Sequence, residues 1–242
     1  RNDWLLELGK RRDWTNFAAE FPRFRMNDDR EVSCYALMLD DQAGKDVKDA
    51  ALAAWLAQRD ADDGCALMAA TLTDAKKFST ADLWRKARFA MDAGRPKAAR
   101  QAAALVSVAA ASSVGEMSDS PIRYLAKSAS ANSRPAAELT TLALMRLASS
   151  DPDAASLQLN ERWDSALPPD LAAWAWAAVA RQAALKLLPD ASEHYQRAAM
   201  RASRGGAEPD WPDETLARTL RRTVLAFAVA AIAVLTLTAL QR

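Results

Sequence analysis

The sequence predicts an all-α protein, an irregular α-solenoid of stacked helical hairpins closed by a hydrophobic C-terminal helix. Three observations carry that prediction. Hydrophobic residues make up 50% of the 242 positions while aromatics make up only 7%, because alanine supplies most of the apolar count. Alanine, leucine and arginine are the strongest helix formers, and with seven Gly and few β-branched residues before the tail there is little to build a sheet from. Apolar residues also recur at helical spacing in short runs separated by capping and turn residues.

The elements follow in order. "RNDWLLELGKRRDWTNFAAEF" predicts a first pair of helices, with Asp3 as one cap, Gly9 as a stop and Asp13 as the next cap. Trp4, Leu5, Leu8, Trp14, Phe17 and Ala18 supply the inward faces. In "FSTADLWRKARFAMDAGRPKAARQAAALV", Ser79 and Asp82 form a capping box. Leu83, Trp84, Ala87, Ala90 and Met91 face in, and Arg85, Lys86, Arg88 and Asp92 face out. Gly94 then turns the chain and Pro96 opens a helix that returns through Ala98, Ala99, Ala102, Leu105 and Val106.

Ser107 to Ser120 is rich in Ser and Ala and weakly periodic, and is expected to be a poorly packed connector. Pro135 opens a helix through Leu139, Leu142 and Ala143. Asp151 and Pro152 restart the chain toward Ala155, Leu159 and Trp163. No charge falls between Leu171 and Ala180, which predicts a helix buried on most sides. Asp190 and Glu193 read as another capping box, leading to Tyr195, Ala198, Ala199 and Ala202. The pairs show no fixed period, but a hairpin of two helices buries its apolar stripe only by stacking on another. One superhelical domain over 1–220, weakest at 107–120, and a tail over 221–242 are the expected organisation.

Composition narrows the function. The charge of +1 comes from 32 basic residues scattered among 31 acidic ones, which argues against binding nucleic acid by bulk electrostatics. Neither GxGxxG nor GxxxxGK[ST] occurs, so no phosphate cradle and no cofactor are expected. His194 is the one histidine and reads as an exposed or capping residue. Cys34 and Cys65 each lack a CxxC partner, so no metal site is expected; they make at most one bridge, or stand as two small buried hydrophobes. The acidic runs at Asp28–Arg30, Leu39–Asp41 and Asp60–Gly64 read as caps and solvated turns, and no residue is assigned as catalytic. Of the eight tryptophans, Trp4, Trp14, Trp55, Trp84 and Trp174 fit apolar stripes. Trp176 and Trp211 are less clearly inward and are the candidates for carbohydrate contact.

Taken together, "RNDWLLELGKRRDWTNFAAEF", "CYAL" at Cys34, "AALAAWLAQ" with Trp55, Cys65, "LWRKARFAMDAGRPKAAR" and "EPDWPDETLA" resemble the N-terminal superhelical domain of the soluble lytic murein transglycosylases, from Arg1 to about Leu220. The resemblance implies a U-shaped layer of helices in a bacterial periplasmic enzyme of peptidoglycan turnover, with glycan strands as partner. In that family a separate lysozyme-like domain carries a catalytic Glu in a Glu-Ser pair and releases a 1,6-anhydromuramyl product. No Glu-Ser pair occurs here, so no acid/base is carried over. The part present is then the scaffold that holds glycan, and the chain reads as a mature or truncated product whose signal peptide has been lost. The resemblance also implies a Cys34–Cys65 disulfide. A different class of reading is a tetratricopeptide-like adaptor that binds protein segments.

The uncharged run Thr223 to Leu240 has about the length of a minimal membrane span. Arg218, Arg221 and Arg222 precede it and Arg242 follows, a charge order that conflicts with a periplasmic solenoid. It reads as an accidental apolar tail after a truncation or frame change, as a membrane anchor through 223–240, or as a long core helix. It is expected to be helical in each case.

Overall fold

The computed structural model describes residues 2–24, 29–58 and 60–205. The described residues form helices and turns with no strand, the irregular α-solenoid class that composition and spacing predict. The tail 223–240 and Trp211 lie outside the described residues. Among those described, no helix is long and apolar enough to cross a membrane. The chain divides into two compact units, Arg1–Lys127 and Ser128–Arg242. The division falls after Lys127, downstream of the weak point expected at 107–120.

The first unit contains α1 (Asn2–Lys10), α2 (Trp14–Glu20), α3 (Arg30–Gln42), α4 (Lys48–Ala57), α5 (Asp63–Asp74), α6 (Thr80–Asp92), α7 (Pro96–Val106), α8 (Val108–Asp119) and α9 (Pro121–Lys127). Its odd helices form one row, α1 against α3, α3 against α5 and α5 against α7, while α4 packs on α6 beside it. Leu5, Leu8, Phe17, Val32, Tyr35 and Ala36 form the core under α1 to α3. Two glycines let this row close. A Cβ on Gly9 would lie 2.3 Å from the Tyr35 ring, and one on Gly64 would lie 2.5 Å from the Glu31 carbonyl oxygen.

Turn chemistry matches the sequence at several joints. Asp13, Asp29 and Asp62 accept from backbone N–H groups at the starts of α2, α3 and α5, so three of the acidic turn residues are caps. Ser79 and Asp82 form both arms of their capping box, and Gly94 takes a φ of 71°.

Other positions depart from expectation. Trp4 is half exposed and Ala18 is exposed, because Leu5, Leu8 and Phe17 already fill the stripe. Asp3 lies inside the first turn of α1, not ahead of it. Ser107 to Ser120 is not a loose connector. Ser107 caps α8, and Ala110, Val114 and Met117 bury one face of it, a stripe masked in sequence by the small serines between them.

Lys86 and Arg88 face inward rather than out. Lys86 sits three residues after Leu83 on the same stripe and is only 2% exposed. Its Nζ donates to the carbonyls of Trp55 at 2.5 Å and Gln58 at 2.7 Å, where α4 ends.

The second unit contains α10 (Arg134–Ser150), α11 (Pro152–Gln158), a π-helical turn at Leu159–Trp163, α12 (Asp164–Ala166), α13 (Pro169–Leu185) and α14 (Ala191–Arg204). Its polar contacts expose a repeat. Arg134 pairs with Asp170, and Lys186 Nζ donates to the Ser150 carbonyl, each across 36 residues. Asn160 accepts from Arg197, and Asp164 from Arg201, each across 37 residues. Constant offsets mean that α10 and α13 run side by side in the same sense, as do the 159–166 segment and α14. One hairpin is therefore laid on the next with a shift of 36 to 37 residues, a solenoid step that residue identity alone does not show. Leu171 to Ala180 is buried at every position, as the absence of charge predicts.

Burial pushes the Lys86 ammonium down to about 8, with Arg30 lowering it further against an opposing pull from Asp62. Between that value and the ordinary 10.5 the unfolded chain holds the proton that the folded chain has shed, so this residue adds stability as pH rises. Wild type should therefore gain stability relative to Lys86→Met between about pH 8 and about pH 10, measured by urea denaturation at each pH.

Candidate functional site

The sequence singled out Cys34, Cys65, Trp176, Trp211 and His194. The structure gathers the described ones into two clusters, one in each unit.

In the first unit, α3 and α5 lie close enough for Cys34 and Cys65 to form a disulfide, with Cα atoms 4.9 Å apart. Cys65 follows the Asp62 cap and Gly64, so the start of α5 is pressed against α3 by backbone geometry before the bridge is added. Beside it, Asp63 accepts from Arg12 Nη2 at 2.9 Å, and from Arg12 Nη1 and the Tyr35 hydroxyl. The Arg12 guanidinium also lies 5.9 Å from the Trp14 ring centroid and 6.0 Å from that of Tyr35. The Arg12 hydrogen bonds hold Asp63 below the usual carboxylate range, against the opposing pull of burial. Burial, and then the bond to Asp63, push the Tyr35 phenol up. Both groups keep their ordinary charge state at neutral pH.

In the second unit, Trp176 is fully buried, which corrects its placement as a sugar platform. Its Nε1 donates to Asp164 at 2.8 Å. The His194 ring stacks on it, with centroids 5.4 Å apart and planes 26° from parallel, and the Arg197 guanidinium lies 4.9 Å from its centroid. An indole so enclosed has no face to offer a sugar ring. Trp176 read as less clearly inward because ten uncharged residues give no polar side from which to judge direction.

His194 is corrected too. It is 7% exposed rather than an exposed cap, and with Ala198 and Ala202 it forms the inward stripe of α14 at steps of four residues. That spacing was the available signal. The expected Asp190–Glu193 capping box is absent: the Asp190 side chain makes no cap bond, and Glu193 pairs with Arg197 at 2.6 Å.

Asp164 anchors the cluster through Arg201, whose Nε donates at 2.7 Å. Burial pulls its pKa up, but the hydrogen bonds from Arg201 and Trp176 outweigh that and leave it below the usual range. Burial and then Arg197 push the His194 pKa down.

A carboxyl that donates a proton to a glycosidic oxygen needs its pKa raised. Asp63 and Asp164 are shifted the other way, into permanent ion pairs. Both clusters therefore act as fasteners between helices. Among the described residues, no group of three or more His, Cys, Asp and Glu side chains is placed to hold a metal ion.

Comparison with known proteins places the fold. No protein-family model and no curated protein matches the chain. A solved structure of an inactive mutant of the lytic transglycosylase Slt from Pseudomonas aeruginosa does match, with a TM-score of 0.54 and 19% identity. The match covers 81% of this chain and 33% of that one, so this chain spans about a third of that protein's length. The likeness is one of fold, and it falls on the protein class that the quoted segments resemble.

Two losses should follow from the clusters. Replacing both cysteines by serine removes a closure across 31 residues and should cost about 3 to 4 kcal/mol, read as a lower urea midpoint for the first unit. Asp164→Ala leaves Trp176 Nε1 and Arg201 without their acceptor and should cost about 2 to 3 kcal/mol at neutral pH. Because the Asp164 pKa is depressed, that difference should persist as pH falls to about the ordinary carboxylate value and close only below it.

Proposed function

We propose that this chain is a non-catalytic superhelical scaffold of a peptidoglycan lytic transglycosylase. In this reading it works in the bacterial periplasm and holds murein glycan strands for a separate catalytic module. The fold likeness to a lytic transglycosylase, over four-fifths of this chain, is the observation that carries the reading. Three further features support it. In the second unit one hairpin is laid in register on the next, a solenoid step. The Cys34–Cys65 bridge suits an oxidising compartment. Asp63 and Asp164, the carboxyls shifted by their surroundings, are shifted away from acid catalysis.

Cosedimentation of the purified chain with isolated sacculi, followed by chromatography of the soluble fraction, tests the proposal. The expected result is chain in the pellet and no 1,6-anhydromuropeptide in solution. Release of anhydromuropeptide would overturn the non-catalytic assignment. A chain that stays in the supernatant but recovers a stoichiometric protein partner would transfer the surface to the adaptor reading.

A further inference from the structure

His194 is the one histidine in the chain, and it sits where a charge is least welcome. Its ring lies flat on a fully buried indole, and its Nδ1 has no hydrogen-bond partner among the described residues. The same indole already holds one cation, the guanidinium of Arg197. A neutral imidazole fits this position as an aromatic disc. An imidazolium would bury an N–H without an acceptor beside a resident positive charge.

The groups that face the ring oppose one another. On α14, Arg197 disfavours a second charge while Glu193 favours it; Asp190, just ahead of α14, and Asp153 on α11 also favour it. Glu193 is engaged by Arg197, and Asp164, next to the indole, is engaged by Trp176 and Arg201. Burial and Arg197 prevail, and the ring is harder to protonate folded than free.

α14 lies along α13. Its remaining buried side chains are Ala198 and Ala202. The ring of His194 is thus the largest buried side chain that α14 sets against α13.

We propose that His194 is a pH-sensitive pin: neutral, it seats α14 on α13 through Trp176, and protonated, it releases α14 while the neighbouring hairpin stays folded. The polar ties of α14 to the preceding hairpin include Arg197 to Asn160 and Arg201 to Asp164. The sign is fixed by the depressed affinity for the proton. The contribution of His194 is complete above the free imidazole value of about 6.5 and is lost as pH falls below it. This inference does not depend on the glycan reading.

Hydrogen exchange of the full chain, followed by mass spectrometry and corrected for intrinsic rates, tests it. Between about pH 7.5 and about pH 5, protection of 191–204 should fall at least about fivefold relative to α10. His194→Phe, which keeps the ring and removes the titration, should hold protection constant over that range. Equal loss in the variant, or no loss in wild type, would overturn the proposal. If the variant misfolds, the single imidazole Cε1–H resonance of wild type decides. Titration below the free value in step with α14 exchange supports the pin, and titration at the free value without change in exchange refutes it.

Discussion

Close approach between alanine-rich helices is the constraint on which the second unit depends. The ten residues from Leu171 to Ala180 include six alanines and are buried at every position, so α13 must be enclosed by α10, α11 and α14 together. Small side chains bring helix axes near the lower end of the usual 8 to 10 Å spacing, but each alanine removes little surface from water. Association on that basis is weakly specified in register. Polar rungs supply the register. Arg134 to Asp170 and Lys186 to Ser150 lock α10 beside α13, and Asn160 to Arg197 and Asp164 to Arg201 lock the second layer. The two sets differ by one residue in offset because the second hairpin carries one residue more between Lys186 and Arg197 than the first carries between Ser150 and Asn160.

The first unit meets the same constraint differently. Its α1 to α3 core is aromatic, with Trp14, Phe17, Phe21 and Tyr35 in edge and stacked contacts, so register follows from shape. Where α3 meets α5, Gly64 removes the obstacle, the disulfide fixes the distance and the Arg12–Asp63–Tyr35 cluster covers the end. Where α4 stops, an ammonium group gives the Trp55 and Gln58 carbonyls a donor, at the expense of burying a charge. Glycines, a bridge and a buried lysine thus do for this row what the paired rungs do for the other.

Much of this was legible in the residues. Helix class, the caps at Asp13 and Ser79, the restart at Asp151 and Pro152, the left-handed Gly94 and the enclosed α13 all follow from local rules. What was not legible has a common physical origin. Lys86, His194 and Trp176 are polar or amphipathic side chains whose direction depends on partners 12 to 31 residues away. A local pattern assigns them by polarity, and polarity misleads where a buried acceptor or an indole face is waiting. The serine-rich α8 was obscured for the opposite reason. Its apolar residues are few, but Ala110, Val114 and Met117 suffice to bury one face. The step of 36 to 37 residues was hidden because it is kept by ion pairs and hydrogen bonds whose two members differ in kind, so no residue repeats itself.

That mode of encoding bears on the comparison with solved structures. A row of hairpins asks for small residues on a stripe, a cap at each start and some polar tie at each step, and many residue pairs can serve as the tie. Sequence identity can therefore fall to 19% while the fold remains superposable. The same freedom separates scaffold from chemistry. A fastener such as Asp164 is stabilised by being permanently ionised and enclosed, whereas a glycosidic acid must be held protonated beside substrate. One carboxyl cannot meet both demands, and Asp164 meets the first.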